Sequence, residues 1–262
     1  MSVDCMKVRP GMEVAGLSDI GCQRENNEDS FLYWEPADER EFRRKGRLAI
    51  VADGMGGYEG GQEASRLAVE TVRDVYEKNL SDDPQAALVE AFLTAHERIL
   101  DYAATNPQMQ GMGTTCTALV IRGKQLFVAH VGDSRLYLVR SSQVSRLTRD
   151  HSYVGRLVES GIVRAEDAEK HPQRHILTAA LGAGDDLSVD GAEKSVTLQH
   201  GDCLLLCTDG LWGVVSEHEL QSTVTNNAPA ECCKALVKLA RERGGPDNIT
   251  LQVLRVLADF RP

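Results

Sequence analysis

Four apolar runs in this 262-residue chain each meet an aspartate at a glycine-marked turn. Leu48–Ala52 runs into Asp53-Gly54-Met55-Gly56-Gly57, Phe127–Val131 into Gly132-Asp133-Ser134, and Leu204–Thr208 into Asp209-Gly210. The fourth is reversed: Gly244-Gly245-Pro246 leads through Asp247-Asn248 into the apolar run Ile249–Leu257. Short apolar runs bounded by turn residues read as buried strands. A carboxylate at such a position is costly unless a proton, a cation or water meets it. Several gathered at strand ends suit a hard divalent cation, which prefers oxygen ligands. The chain therefore reads as a metal-dependent enzyme.

The length allows one large domain or two small ones, and is enough for a real core. The formal net charge of −10 and pI of about 5.2 set the surface against phosphate backbones, so no nucleic-acid partner is expected. Seven cysteines make no zinc-like CxxC pair, and four of them sit within apolar runs, which points to reduced core thiols and a cytoplasmic protein. Residues 1–12 lack the apolar stretch of a signal peptide, and no run approaches the roughly 20 residues of a membrane helix.

Along the chain, strands are expected over Met12–Ser18, Ser30–Trp34 and Arg47–Ala52, with a polar loop from Asp19 to Asp29 and a charged hairpin connection from Glu35 to Gly46. Ala64, Leu67, Ala68, Thr71, Val72, Val75 and Tyr76 follow helical spacing, as do Leu88, Ala91, Phe92, Ala95, Ile99 and Tyr102 after the cap Ser81-Asp82-Asp83-Pro84. Both stripes are core faces. Thr114–Ile121, Gln125–Val131 and Leu136–Arg140 are β-rich, and their short connections predict antiparallel neighbours. Val196–Leu198 and Cys203–Thr208 predict another hairpin across Gln199–Asp202. Ser216-Glu217-His218-Glu219 is a capping box opening a helix to about Asn226; a last helix covers Ala230–Arg243. Residues 151–186 are irregular, hold three of the seven histidines, and read as a flap-like subdomain over a site. The grouping predicts antiparallel sheets with helices packed outside them.

Several motifs dissolve on inspection. The Gly54 loop has Glu59 where GxGxxG needs glycine, and no Gly-Lys-Ser/Thr follows. Ser134 precedes a strand rather than the helix of a nucleophile elbow, so a serine nucleophile is disfavoured. His171 and His175 have zinc spacing, but Pro172 between them breaks the required helix, which favours a surface or flap role. The loop Asp19–Asp29 carries Arg24, a residue type suited to bidentate phosphate contacts, four positions before Glu28-Asp29. Alone, it would be a solvated charged loop.

Taken in order, Ser18-Asp19, Arg24, Asn27-Glu28-Asp29, Ala52-Asp53-Gly54-Met55-Gly56-Gly57, Gly113-Thr114-Thr115, Val131-Gly132-Asp133-Ser134-Arg135, Thr208-Asp209-Gly210-Leu211-Trp212 and Gly245-Pro246-Asp247-Asn248-Ile249-Thr250 resemble the motifs of the metal-dependent protein serine/threonine phosphatases, the PPM or type 2C family, in a compact bacterial form. The resemblance spans roughly residues 12–257. It implies an α+β fold, a four-layer α-β-β-α sandwich of two antiparallel sheets flanked by helices, forming one catalytic domain over 1–262. It implies hydrolysis of phosphoserine and phosphothreonine by a metal-activated water at a binuclear Mg²⁺ or Mn²⁺ site. In that scheme Asp53 bridges both metals, Asp209 and Asp247 complete one, and the Gly54 carbonyl ligates the other. Glu28 and Asp29 hold the waters around it, Arg24 binds the substrate phosphate, and Asp133 serves a third, weaker metal. Substrates would be phosphoproteins made by a serine/threonine kinase, and the enzyme a monomer.

Two departures stand out against that family. Met55 occupies the position where many relatives carry a histidine proposed as general acid. Gly213 stands where relatives often have an aspartate at the third metal. Two competing functions share the fold: a phosphoprotein-binding module without catalysis, against which the complete set Asp53, Asp209 and Asp247 argues, and a hydrolase of small phosphate esters.

Overall fold

The computed structural model describes residues 4–5, 8–56, 59–168, 171–184, 186–191 and 196–260, so Gly57 of the glycine motif lies outside the described residues. The first half of the chain supplies β1 (Asp4–Cys5), β2 (Met12–Asp19), β3 (Asp29–Trp34), α1 (Glu39–Lys45), β4 (Arg47–Met55), α2 (Gly60–Lys78), α3 (Pro84–Thr105) and β5 (Gly113–Thr114). Then come β6 (Cys116–Arg122), β7 (Gln125–Val131), β8 (Arg135–Arg140), β9 (Gln143–Arg146), α4 (Tyr153–Glu159), α5 (Ala165–Ala168), β10 (Val196–Thr197) and β11 (Cys203–Cys207). The chain closes with α6 (Asp209–Trp212), α7 (Glu217–Asn226), α8 (Pro229–Glu242) and β12 (Ile249–Val256).

The strands form two antiparallel sheets, ordered β1-β2-β12-β11-β8-β9 and β10-β7-β6-β4-β3, with β5 pairing the end of β4. Alternation along β4 shows how they stack. Ala49 and Val51 pack with Val14, Leu136, Leu204 and Leu254 between the sheets. Leu48 and Ile50 turn outward onto the apolar faces of α2 and α3, including Ala64, Leu67, Val72, Leu88, Phe92 and Ile99. On the far side, Leu205 and Val253 face Leu220 and Val224 of α7 and Leu236, Val237 and Ala240 of α8. Helix, sheet, sheet, helix: the expected four-layer α+β sandwich is present, and burial on both faces explains why the strands read as continuous apolar runs. Among the described residues, no helix is long and apolar enough to cross a membrane.

Three expectations are corrected. The charged connection Glu35–Gly46 contains α1, capped by Asp38, whose side chain accepts from the Glu41 amide at 2.9 Å. With one aromatic, Phe42, it has no apolar stripe to reveal it. The turn Gly132-Asp133-Ser134 does not join neighbours: β7 lies in one sheet and β8 in the other. Likewise β10 pairs with β7, whereas β11 pairs with β8 and β12, so the turn over Gln199–Asp202 carries the chain between sheets. A tight turn has the same local chemistry whether it closes a hairpin or crosses a sandwich.

Candidate active site

The crossing turn and three strand ends meet at one end of the sandwich. Asp53 sits near the end of β4, opposite Asp29 of β3, its register partner. Its backbone is clamped by the Gly113-Thr114-Thr115 segment. The Asp53 amide donates to Thr115 Oγ1 at 3.0 Å, and its carbonyl accepts from the Thr115 amide and Thr114 Oγ1, each at 2.9 Å. Thr115 interrupts the expected strand, separating β5 from β6, and its hydroxyl also meets Ser134 Oγ at 2.8 Å. Gly54 is required by close approach: a Cβ there would fall 2.0 Å from the Gly61 carbonyl oxygen.

The Asp19–Asp29 loop folds around Asn248. The Asn248 side-chain amide donates to the carbonyls of Ile20 at 3.0 Å and Asn26 at 2.9 Å, and its Oδ1 accepts from the Glu28 amide at 2.8 Å. This brings Arg24 Nη2 to 2.7 Å from Asp247 Oδ2, with half of the arginine side chain exposed. Arg241 anchors the start of the loop through Asp19 Oδ1 at 2.6 Å.

One cavity of about 630 Å³ is lined by Arg24, Glu28, Asp53, Gly54, Asp133, Asp209 and Asp247. Of the eight residues named from sequence, Asp29 does not line it. It lies buried beside Asp53 and accepts from Thr208 Oγ1 at 2.9 Å. Arg174 and His175 also line the cavity, and His175 Nδ1 stands 3.7 Å from Asp209 Oδ2. Sequence reading left both without a role in the cavity; the sole signal was the irregular, histidine-rich 151–186 segment. Asn248 was quoted in a motif but given no function, and its loop-organising hydrogen bonds depend on contacts invisible in sequence.

The electrostatics are those of crowded acids. Burial, then the charges of Asp29, Asp209 and Asp133, holds the Asp53 carboxyl well above the usual range. Burial does the same to Asp133, with Asp209 adding to it. Asp29 is pushed up to about 7 by burial, against the opposing hydrogen bonds of Thr250 and Thr208. Glu28 is raised by burial and eased by Arg24. Asp29 Oδ1 and Asp209 Oδ1 are buried with no hydrogen-bond partner. Among the described residues, no three Asp, Glu, His or Cys side chains converge into a ready-made coordination sphere. Yet raised carboxyls and an orphaned Asp209 oxygen in one cavity, with a second orphaned oxygen on Asp29 buried beside Asp53, are what a divalent cation would relieve, so the donor set fits oxygen-bound metal.

A family profile for protein phosphatase 2C matches residues 23–249. The chain belongs to the protein phosphatase 2C family. Protein phosphatase PhpP of Streptococcus pneumoniae is 35% identical over 247 residues, covering 93% of this chain and 97% of that protein. The serine/threonine protein phosphatase PstP of Mycobacterium tuberculosis is 34% identical over 94% of this chain and 45% of its own length. Its crystal structure superposes with a TM-score of 0.84 at 33% identity, over 94% of this chain and 99% of the solved one. A structure of the PstP catalytic domain in complex with two manganese ions superposes with a TM-score of 0.81 at 32% identity, over 94% of this chain and 99% of that one. Fold and family assignment thus agree.

Proposed function

We propose that this phosphatase hydrolyses phosphoserine and phosphothreonine in proteins at a binuclear Mn²⁺ or Mg²⁺ centre in the Asp53 cavity. The observation that carries the reading is that Asp53, Asp209, Asp247, Glu28, Asp133 and Arg24 share that one cavity. In this reading Asp53, Asp209, Asp247 and the Gly54 carbonyl would hold two cations, Glu28 and Asp29 would orient waters at the site, and Asp133 would serve a third, weaker cation. When bound, the cations supply Lewis acidity that lowers the pKa of water and offsets the repulsion between a nucleophile and a phosphate dianion.

The protein's own part is to hold and orient. Thr114 and Thr115 hold the Asp53 backbone in place. Asn248 sets the loop that carries Arg24. Arg24 exchanges Asp247 for phosphate oxygens and stabilises them through the in-line transition state. The 151–186 segment acts as a flap, bringing Arg174 and His175 to the cavity mouth. Substrates are the products of a serine/threonine kinase, and the enzyme works as a monomer in the cytoplasm, a compartment that suits the buried cysteines Cys116, Cys203, Cys207 and Cys232.

The test is turnover of a phosphothreonine peptide with Mn²⁺, with chelator, and in Asp53→Asn. Turnover that needs Mn²⁺ and falls at least about a thousandfold in the variant is expected. Metal-independent turnover, or full activity in Asp53→Asn, would overturn the mechanism. Faster turnover of phosphorylated metabolites than of phosphopeptides would favour the small-ester reading instead.

A further inference from the structure

Beside the catalytic cavity lies a second concavity of about 570 Å³. Arg174 lines both, and Trp212 of the second is the chain neighbour of Gly213 in the first. Trp212 is tied to the catalytic end directly, because its indole N–H donates to the Asp133 carbonyl at 3.0 Å. One wall is apolar: Val154 and Val158 of α4 line it together with Trp212. The rest is basic. The Arg135 guanidinium stacks 3.6 Å from the Trp212 ring centre and gives Nε and Nη2 to the two Asp150 oxygens, at 3.1 and 2.7 Å. Arg146 reaches the same carboxylate at 3.2 Å, with about a third of its side chain exposed. One carboxylate is therefore shared by two guanidiniums, and the lining as a whole carries a single excess positive charge, in a chain whose net charge is −10.

We infer that this groove is a substrate subsite for an acidic side chain a few residues from the phosphoamino acid, with Arg146 as its contact. The inference rests on the phosphatase reading above. A polypeptide whose phosphate lies in the Asp53 cavity has neighbours to place, and the adjoining concavity shares Arg174 with that cavity. The apolar wall suits backbone and methylene groups, and a guanidinium suits a carboxylate in charge and geometry. Charge complementarity thus selects an acidic phosphoprotein segment over a basic one.

The experiment measures kcat/KM with Mn²⁺ for phosphothreonine peptides in which a single glutamate is walked along a Gly/Ser host on either side of the phosphothreonine, each paired with a glutamine control. At positions on one side, glutamate should exceed glutamine by about fivefold, mostly through KM, the size expected of a partly exposed ion pair. Added salt should shrink the preference. Arg146→Gln should abolish it, and Arg146→Glu should transfer it to a lysine at the same position. Turnover of p-nitrophenyl phosphate, which is too small to reach the groove, should stay at the wild-type level in both variants and so reports that they are folded. Glutamate preference under about twofold at every position, or a preference that survives Arg146→Gln, overturns the subsite while leaving the phosphatase reading intact. Failure to turn over any phosphopeptide overturns both.

Discussion

His130 shows how one buried side chain sets a pH limit on the fold. It sits in β7, 1% exposed, with Nδ1 2.8 Å from Thr117 Oγ1 and Nε2 2.9 Å from the Arg149 carbonyl. A carbonyl can only accept, so Nε2 carries the proton, and burial keeps Nδ1, which faces the threonine hydroxyl, unprotonated: the ring is neutral. Burial, reinforced by the neighbouring His151, pulls its pKa down to about 4. In the unfolded chain the same imidazole protonates near 6.5. Between those values the unfolded state binds a proton that the native state does not, so stability falls as pH drops through this window. At pH 5 the loss relative to pH 7 is about 2 kcal/mol from this residue. His130→Gln keeps a donor for the Arg149 carbonyl and cannot titrate. Urea denaturation at pH 7 and pH 5, with chelator throughout, should show the wild type losing about 2 kcal/mol more than the variant. Equal losses would show that His130 does not carry the acid sensitivity.

At the scale of elements, the 151–186 segment is stitched to the sandwich at both of its ends. The His151 amide donates to the Gly132 carbonyl at 2.7 Å, and Thr114 and Leu181 exchange two backbone bonds at 3.0 and 2.9 Å. Leu181 is fully buried, so removing the whole segment would open the core at a cost of about 2–5 kcal/mol. Tyr153 and Ile176, however, are hydrogen-bonded neighbours at 2.8 Å, close enough for a two-residue Asn-Gly turn to replace 154–175. That replacement should raise KM for a phosphopeptide about tenfold and lower kcat/KM for p-nitrophenyl phosphate by a smaller factor, since it removes Arg174 and His175 from the cavity for both substrates but the outer contacts for the longer one alone. Equal effects on both would count against a gating role. The same element scale shows what a sequence can reveal. Helices α2, α3, α7 and α8 were legible because each has a periodic apolar face or a capping signal. Helix α1 was not, because Phe42 is its lone apolar residue. The turns at Gly132–Ser134 and Gln199–Asp202 were legible as turns, but the sheet each strand then joins is decided by packing tens of residues away. The candidate site follows the same rule. Its acids were marked by strand-end glycines, whereas Arg174, His175 and the organising role of Asn248 depend on which loops meet.

Across the whole molecule, the acids come from both sheets: Asp29 and Asp53 from one, Asp209 and Asp247 from the ends of strands in the other, and Asp133 from the turn that crosses between them. Cations bound among them would join the two sheets, so metal binding and folding should be linked. Any ligand that binds only the native state stabilises it, by about 2.7 kcal/mol at a hundred times its dissociation constant, which for a chain of this size raises Tm by roughly 5–10 °C. The pH dependence has a definite sign. Without metal, Asp29 is held up to about 7 and Asp53 and Asp133 well above their ordinary values. The native state then binds more protons than the unfolded state from about pH 4 to pH 7, so these groups make the metal-free protein less stable as pH rises through that window. A cation entering the site displaces those protons, and its affinity rises with pH over the same range. Thermal denaturation with chelator and with saturating Mn²⁺ should therefore show a larger Tm increase at pH 7.5 than at pH 5.5. Titration calorimetry at pH 6.5, in two buffers of different ionisation enthalpy, should register net proton release. Asp53→Asn should lose most of the Tm increase, because it removes one of the shared carboxylates. An increase of equal size at both pH values, or one that persists in Asp53→Asn, would mean that Mn²⁺ stabilises the protein from some other place.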